Sequence, residues 1–337
     1  MMQIGSYQLN VPFALAPMAG ITDKPFRQIC RNFGAGWAVS EMLTSDPSLQ
    51  QTHKTLRRAD SEGEGGIRVV QIAGSNPQFL AETARYNVAR GAQVIDINMG
   101  CPVKKVCNVL AGSALLQNES LVAEILHTVV DAVAVPVTLK TRLGWDENHC
   151  NILAIGDIAE KAGIAAIAVH GRTRAQMYNG AARYELITQL RQQIHVPLWV
   201  NGDITSPQKA FAVSEQTGVQ GIMIGRAALG QPWLFRDLRH FHIHGVLPVA
   251  LSVAEHAQVI HKHIQSMHDF YGEYLGVRIA RKHIGWYVAI LAGGDEFRRQ
   301  VNKVVDAKQQ LHMIDAYLDQ QIKQLSAWPC TYRQNIQ

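Results

Sequence analysis

Residues 68–100 read RVVQIAGSNPQFLAETARYNVARGAQVIDINMG, and this stretch decides the fold. An apolar run, RVVQIAG, is followed by a helical stretch that opens at Pro77, and then by a second apolar run, VIDINMG. Both runs are continuous rather than alternating. Such runs belong to strands buried on both faces, and hence to a parallel sheet. Working outward, the same strand-then-helix unit recurs on either side. Upstream are FALAPMAG (13–20) with DKPFRQICRNFG, and GWAVSEM (36–42) with a long polar segment. Downstream, VIDINMG (94–100) leads to SALLQNESLVAEILHTVVDAV, VTLKTRLG (137–144) to NILAIGDIAEKAG and AIAVHGRT (166–173) to YELITQLRQQI. PLWVNGD (197–203) leads to SPQKAFAVSEQTG, and GIMIGRAALG (221–230) to PWLFRDLRHF. Eight such units over about 240 residues predict an α/β fold, a closed (β/α)8 TIM barrel. A doubly wound open sheet competes, but no G-x-G-x-x-G follows the first strand.

After Pro248 the pattern changes. From Ser252 to Leu325 apolar residues recur at helical spacing, as in Ile260, Ile264, Met267 and again in Leu311, Ile314, Leu318, Ile322. Gly272, Gly276 and the Gly293–Gly294 pair break this into three or four helices. The chain therefore reads as a barrel over 1–245 and a C-terminal all-helical domain over 246–337. Ser61–Gly66 is the most flexible-looking loop.

Composition narrows the class. Of 337 residues, 47% are apolar and 18% charged, which fits a globular chain and not a disordered one. No apolar run reaches membrane length, and MMQIGSYQLN lacks the features of a secretory signal, so a cytoplasmic location with no membrane contact is expected. The five cysteines are scattered, with no C-x-x-C, so neither a disulfide framework nor a metal site is expected. A net charge of +5 mildly favours a polyanionic partner.

In this barrel, function belongs at the C-terminal ends of the strands. Polar groups of several kinds gather there: Glu41, Gln71, Asn98 beside Cys101, Lys140 with Arg142, His170 with Arg172, Asn201–Gly202–Asp203, and Gly225–Arg226. The loops after strands seven and eight, NGDI (201–204) and IGRAALG (224–230), suggest a phosphate site. Gly202 and Gly225 let backbone N–H groups approach an anion, and Arg226 adds a charged fork. Lys140, inside a buried strand, calls for an anion. With His170 and Gln71 it can bond the pyrimidine edge of a flavin. One phosphate, one polar-edged ring and no dinucleotide fingerprint together suggest flavin mononucleotide.

The motifs APMAGITDKPFR (16–27), VQIAG (70–74), DINMGCP (96–102), VHGRTR (169–174), NGDI (201–204) and IGRAALGQPW (224–233) resemble the tRNA-dihydrouridine synthases. DFYGEYLGVRIARKHIGWY (269–287) resembles the helical domain of the bacterial B subfamily. The resemblance covers nearly the whole chain. It implies an FMN-dependent enzyme that reduces uridine in tRNA to dihydrouridine, with NADPH as electron donor and a D-loop uridine, position 17 favoured, as target. It implies that Pro17, Met18 and Ala19 border the flavin and that Gln71, Lys140 and His170 contact its ring. Asn201, Gly202, Asp203, Gly225 and Arg226 would hold its phosphate end, and Asn98 would bond the target uracil. No metal and no obligate protein partner are implied.

Cys101 then has a role. On the chemistry the resemblance implies, hydride from the reduced flavin N5 would add to uracil C6, and a proton would have to reach C5. A thiol, with a free pKa of about 8.5, is mostly protonated near neutrality and can serve as the general acid. Gly100 permits an unusual backbone angle, and Pro102 stiffens the loop. A uridine inside folded tRNA must be extruded to reach such a site. Arg278, Arg281 and Lys282 fall on one helical face, which from spacing alone is either a solvated face or an RNA contact; the resemblance favours RNA. Arg172 and Arg174 are further candidates for the substrate. One rival is a flavin barrel acting on a small free pyrimidine, against which the helical domain argues. Another is a tRNA-binding chaperone, against which the complete rim argues.

Overall fold

The computed structural model describes residues 2–49, 52–103, 107, 111–330 and 332. The chain divides into two compact units, 1–225 and 226–337. The first opens with an antiparallel hairpin, β1 (Met2–Ile4) and β2 (Tyr7–Leu9). A parallel sheet follows: β3 (Phe13–Leu15), β4 (Trp37–Ala38), β5 (Leu43–Thr44), β6 (Val69–Ala73), β7 (Val94–Met99), β8 (Val137–Arg142), β9 (Ala166–His170), β10 (Leu198–Asn201) and β11 (Gly221–Ile224). Its order is β4-β3-β11-β10-β9-β8-β7-β6-β5.

The two ends of that order are pieces of one stretch. β4 pairs with β3, and β5 pairs with β6. Between them Val39 bridges to Val69, and Ser40 N–H donates to the Val69 carbonyl at 3.0 Å. The ladder therefore closes on itself as the expected eight-stranded barrel, with its second strand in two parts. In a closed barrel the strands are tilted and staggered, so one edge of a strand pairs early and the other late. GWAVSEM begins this strand, which continues to Thr44.

β6 and β7 are buried along their whole length, which explains their unbroken apolar runs. At the strand starts, Trp37 and Trp199 lie 5.4 Å apart and pack with Met2, Ile4 and Leu9 of the hairpin. Helices return the chain between strands. Asp23, Asn76, Asn118 and Ser206 each cap one by accepting a first-turn backbone N–H.

The Ser61–Gly66 loop is not loose. Glu64 is 4% exposed and accepts from Arg27 at 2.7–3.1 Å and from Arg31 at 3.2 Å. Those arginines stand one turn apart on the helix Lys24–Asn32, so one helical face holds the loop.

The second unit holds helices and no strand among its described residues. Helices span Leu234–His244, Val253–Tyr271, Glu273–Val288, Gly294–Val301 and Ala307–Gln324. Breaks fall at Gly272 and Gly293, both with positive φ. Gly276 does not break a helix: a Cβ there would sit 2.8 Å from the His268 backbone, so it serves close packing between neighbouring helices. The helix Leu234–His244 belongs to this unit, whereas the sequence reading draws the boundary after residue 245. No helix among the described residues is long and apolar enough to cross a membrane.

Candidate active site

Side chains alternate along a strand, so Gln71 on β6, Asp96 and Asn98 on β7, and Thr138 and Lys140 on β8 share one side of the sheet. They interlock. Thr138 Oγ1 donates to Asp96 at 2.6 Å, Gln71 Nε2 donates to Asp96 at 2.7 Å, and Asn98 Nδ2 donates to Gln71 Oε1 at 2.8 Å. Burial pushes the Asp96 carboxyl up to about 6, against the pull of Thr138, Gln71 and Lys140. Gln71, expected at a flavin ring, has both ends of its amide engaged below the rim and is buried.

Asn98 Oδ1 accepts the backbone N–H groups of Gly100 at 3.1 Å and Cys101 at 2.9 Å. This fixes the turn at the end of β7. Gly100 is absent from the positive-φ residues, so its role is not an unusual angle. A Cβ there would meet the Thr141 and Lys140 backbone only at ordinary contact distance, 3.4–3.5 Å. The Cys101 carbonyl accepts from Ser113 N–H at 3.1 Å and Ser113 Oγ at 2.9 Å. The thiol is half-buried, and burial raises its pKa against weaker pulls from the Val103 backbone, Arg142 and Lys140. It therefore carries its proton at neutral pH. All five cysteines are free.

Arg142, which the sequence reading placed at the rim without a role, proves central. Its Nε donates to the Gly100 carbonyl at 2.7 Å, and its Nη1 to the carbonyls of Thr173 and Met177 at 2.9 and 2.8 Å. Its guanidinium lies 5.5 Å from the ring of Tyr178, which is exposed. The signal was present in VTLKTR, an arginine two residues beyond the strand lysine. Tyr178, in a loop after β9, carried none.

Lys140 Nζ donates to Asn201 Oδ1 at 3.3 Å, and Asn201 Nδ2 donates to the Met223 carbonyl at 2.8 Å. Burial, helped by Arg142, lowers Lys140 to about 8. Between that value and the ordinary 10.5, the unfolded chain holds a proton that the folded chain releases. Stability contributed at this site therefore rises with pH across that window. The thermal midpoint of the native chain is expected to gain on that of Lys140→Met between about pH 8 and 10. Parallel curves for the two proteins would refute a strained cation here.

The loop after β10 carries Gly202 at φ +120 and Asp203 at φ +52. A Cβ on Gly202 would lie 2.9 Å from the His170 ring, so glycine lets this turn settle on the histidine. Asp203 accepts from Arg172 at 2.6 Å and from Ala182 N–H at 2.7 Å. Arg172 also donates to the carbonyls of Asn179 and Gly180 and is 2% exposed. It thus braces a loop rather than presenting itself to a substrate, because its donors are spent inside the protein. Arg174 lies 4.4 Å over the Trp145 ring.

Pro17 and Met18 are half-buried and Ala19 is exposed in the loop after β3. A Cβ on Gly225 would have only ordinary contacts, at 3.8–3.9 Å, with Ala16, Asn201 and Met18. Arg226, exposed, opens the second unit. In that unit Arg278 stacks 3.7 Å over Tyr274, which is 67% exposed. Arg281 instead donates to the Val304 carbonyl at 2.9 Å, and Lys282 is half-buried, so the three do not form one open face. No cluster of three metal-ligating side chains occurs among the described residues.

A family model described as dihydrouridine synthase matches residues 14–325. The chain is 54% identical over 308 residues to tRNA-dihydrouridine synthase B of Pseudomonas aeruginosa, covering 91% of this chain and 93% of that one. It is 51% identical over 318 residues to tRNA-dihydrouridine synthase B of Vibrio vulnificus, covering 94% and 99%. Among solved structures, histamine dehydrogenase from Rhizobium sp. 4-9 aligns with a TM-score of 0.58 at 13% identity, over 97% of this chain and 64% of that one. The old yellow enzyme homologue from Zymomonas mobilis aligns at 0.51 and 12% identity, over 74% and 93%. At such identities the likeness is one of fold.

Proposed function

The chain belongs to the dihydrouridine synthase family, and from that premise we propose that it reduces uridine in tRNA to 5,6-dihydrouridine, using bound FMN and NADPH. The observation that carries the reading is Cys101: a protonated, half-buried thiol on a fixed turn, on the same rim as the half-buried Lys140.

The residues suit a flavin. Lys140 is a cation forced into the barrel, with an amide oxygen as its hydrogen-bond acceptor, and an anionic ring edge would relieve it. His170 stands in register with Asn201 on the neighbouring strand, and the backbone at Gly225, without a side chain, leaves an approach for a ribityl phosphate end. Asn201, Gly202, Gly225 and Arg226 would hold that end, with Asp203 shaping the turn through its pair with Arg172. Pro17, Met18 and Ala19 would border the ring. Once reduced, the flavin supplies the hydride that adds to uracil C6. Cys101 gives its proton to C5: the S–H bond breaks, a C–H bond forms, and solvent reprotonates the thiolate. Asn98 Nδ2 keeps a second N–H for a uracil carbonyl.

The target uridine has to leave the tRNA fold to reach this rim. A D-loop uridine, position 17 favoured, is the proposed site. Incubation of the FMN-loaded protein with unmodified tRNA and NADPH, followed by mass mapping of fragments, tests this. A D-loop fragment that gains two hydrogens supports the reading. No gain despite a reducible flavin sinks it and turns attention to free pyrimidines.

The exposed Tyr274–Arg278 stack offers an aromatic face and a charge to RNA. Aromatic stacking contributes about 1–3 kcal/mol per base, so Tyr274→Ala is expected to weaken tRNA binding about tenfold. Arg278→Ala is expected to reduce the salt slope of binding by about one. Unchanged affinity and slope in both variants would remove this helix from the RNA contact.

A further inference from the structure

An amide can be turned end for end with little change in shape, so something must decide which way Asn98 and Gln71 face. The backbone N–H groups of Gly100 and Cys101 both point at Asn98, and an N–H only donates. Asn98 must therefore present its oxygen there, which turns its Nδ2 to Gln71 Oε1. Gln71 is then left with its Nε2 to offer, and that group needs an acceptor. Asp96 supplies it at 2.7 Å, while Thr138 Oγ1 donates to the other carboxylate oxygen. Every donor in the row points one way, from the Cys101 N–H to the Asp96 carboxylate. Turning either amide alone would set donor against donor and acceptor against acceptor. Asp96, Gln71 and Asn98 are all buried, so bulk water is not at hand to take over a broken link.

We infer that Asp96 is a positioning residue for Cys101: its carboxylate terminates a one-way hydrogen-bond chain through Gln71 and Asn98 that fixes the turn bearing the thiol. Asp96 itself touches no reacting atom. The inference deepens the uridine-reduction reading and rests on it for the turnover measurement; the thiol measurement stands without it.

The test separates polarity from packing. Asp96→Leu cuts the chain at its acceptor. The double variant Asp96→Asn/Gln71→Glu reverses one link but leaves an acceptor facing Asn98, so the turn keeps its hold. Iodoacetamide alkylation of Cys101 in the purified protein is followed by peptide mass, with half-buried Cys150 as internal reference. In Asp96→Leu the Cys101 rate is expected to rise about tenfold while Cys150 is unchanged. In the double variant it returns to about the native rate. With FMN, NADPH and tRNA, Asp96→Leu is expected to lower kcat about 100-fold with KM for tRNA little changed. Gln71→Met cuts the same chain one link along and serves if Asp96→Leu does not fold. An unchanged Cys101 rate in the cut variants overturns the inference. So does a parallel rise at Cys150, or a folded double variant that behaves like the cut ones. If the native protein reduces no tRNA uridine, the function proposed above fails, while the alkylation rates still decide the role of Asp96.

Discussion

Cys101→Ala is expected to leave FMN reducible by NADPH while uridine reduction in tRNA slows by about 10²–10⁴-fold, the usual worth of a positioned general acid. The selectivity of this loss follows from the geometry. The turn is held by backbone groups, namely the Gly100 and Cys101 N–H groups on Asn98 and the Cys101 carbonyl on Ser113. Alanine keeps all of these and deletes only the S–H. The raised thiol pKa fits an acid and not an activated nucleophile, since a nucleophile needs the thiolate. Rapid-mixing absorbance follows flavin reduction, and fragment mass follows the product. Loss of both together would place Cys101 in flavin binding. Retention of both would remove it from the chemistry.

Glu64→Ala is expected to destabilise the protein by about 3–5 kcal/mol, because it strands two buried guanidiniums without their carboxylate. The Arg27 and Arg31 side chains are 3% and 10% exposed, so water cannot replace Glu64. Burial already lowers the pKa of Arg31 despite the pull of Glu64. Glu64→Gln retains an acceptor and should fall between. Denaturant titration of the three proteins checks this; a shift of less than about 1 kcal/mol for Glu64→Ala would mean the ion pair does not hold the loop.

That clamp marks where the sequence became hard to read. Residues 61–66 contain glycines and carboxylates, and local composition alone argues for looseness. Their partners sit more than 30 positions upstream in Arg27 and Arg31, and no local pattern announces such a pairing. Arg172 misled for a related reason. An arginine at a strand end looks available until its acceptors are known, and Asp203, Asn179 and Gly180 all arrive from later in the chain. The barrel was legible because its signal is local: an unbroken apolar run means burial on both faces, and the helix caps lie beside their helices. The cysteine's place at the end of β7 was equally legible. What surrounds it was not, because Gln71, Asp96, Asn98 and Thr138 meet only when three strands come into register.

Arg142 and Arg172 grip the loop after β9 through the carbonyl oxygens of Thr173, Met177, Asn179 and Gly180. A carbonyl is the same whichever residue owns it. The path of this loop therefore leans on backbone more than on most of its side chains; Met177, at φ +51, and Tyr178, whose ring lies beside Arg142, are where the residue still matters. Drift or a randomised library can rewrite the other exposed positions while the scaffold keeps its shape. The mouth of the barrel thus has a replaceable lip on a fixed frame, and substitutions there would carry little penalty to folding.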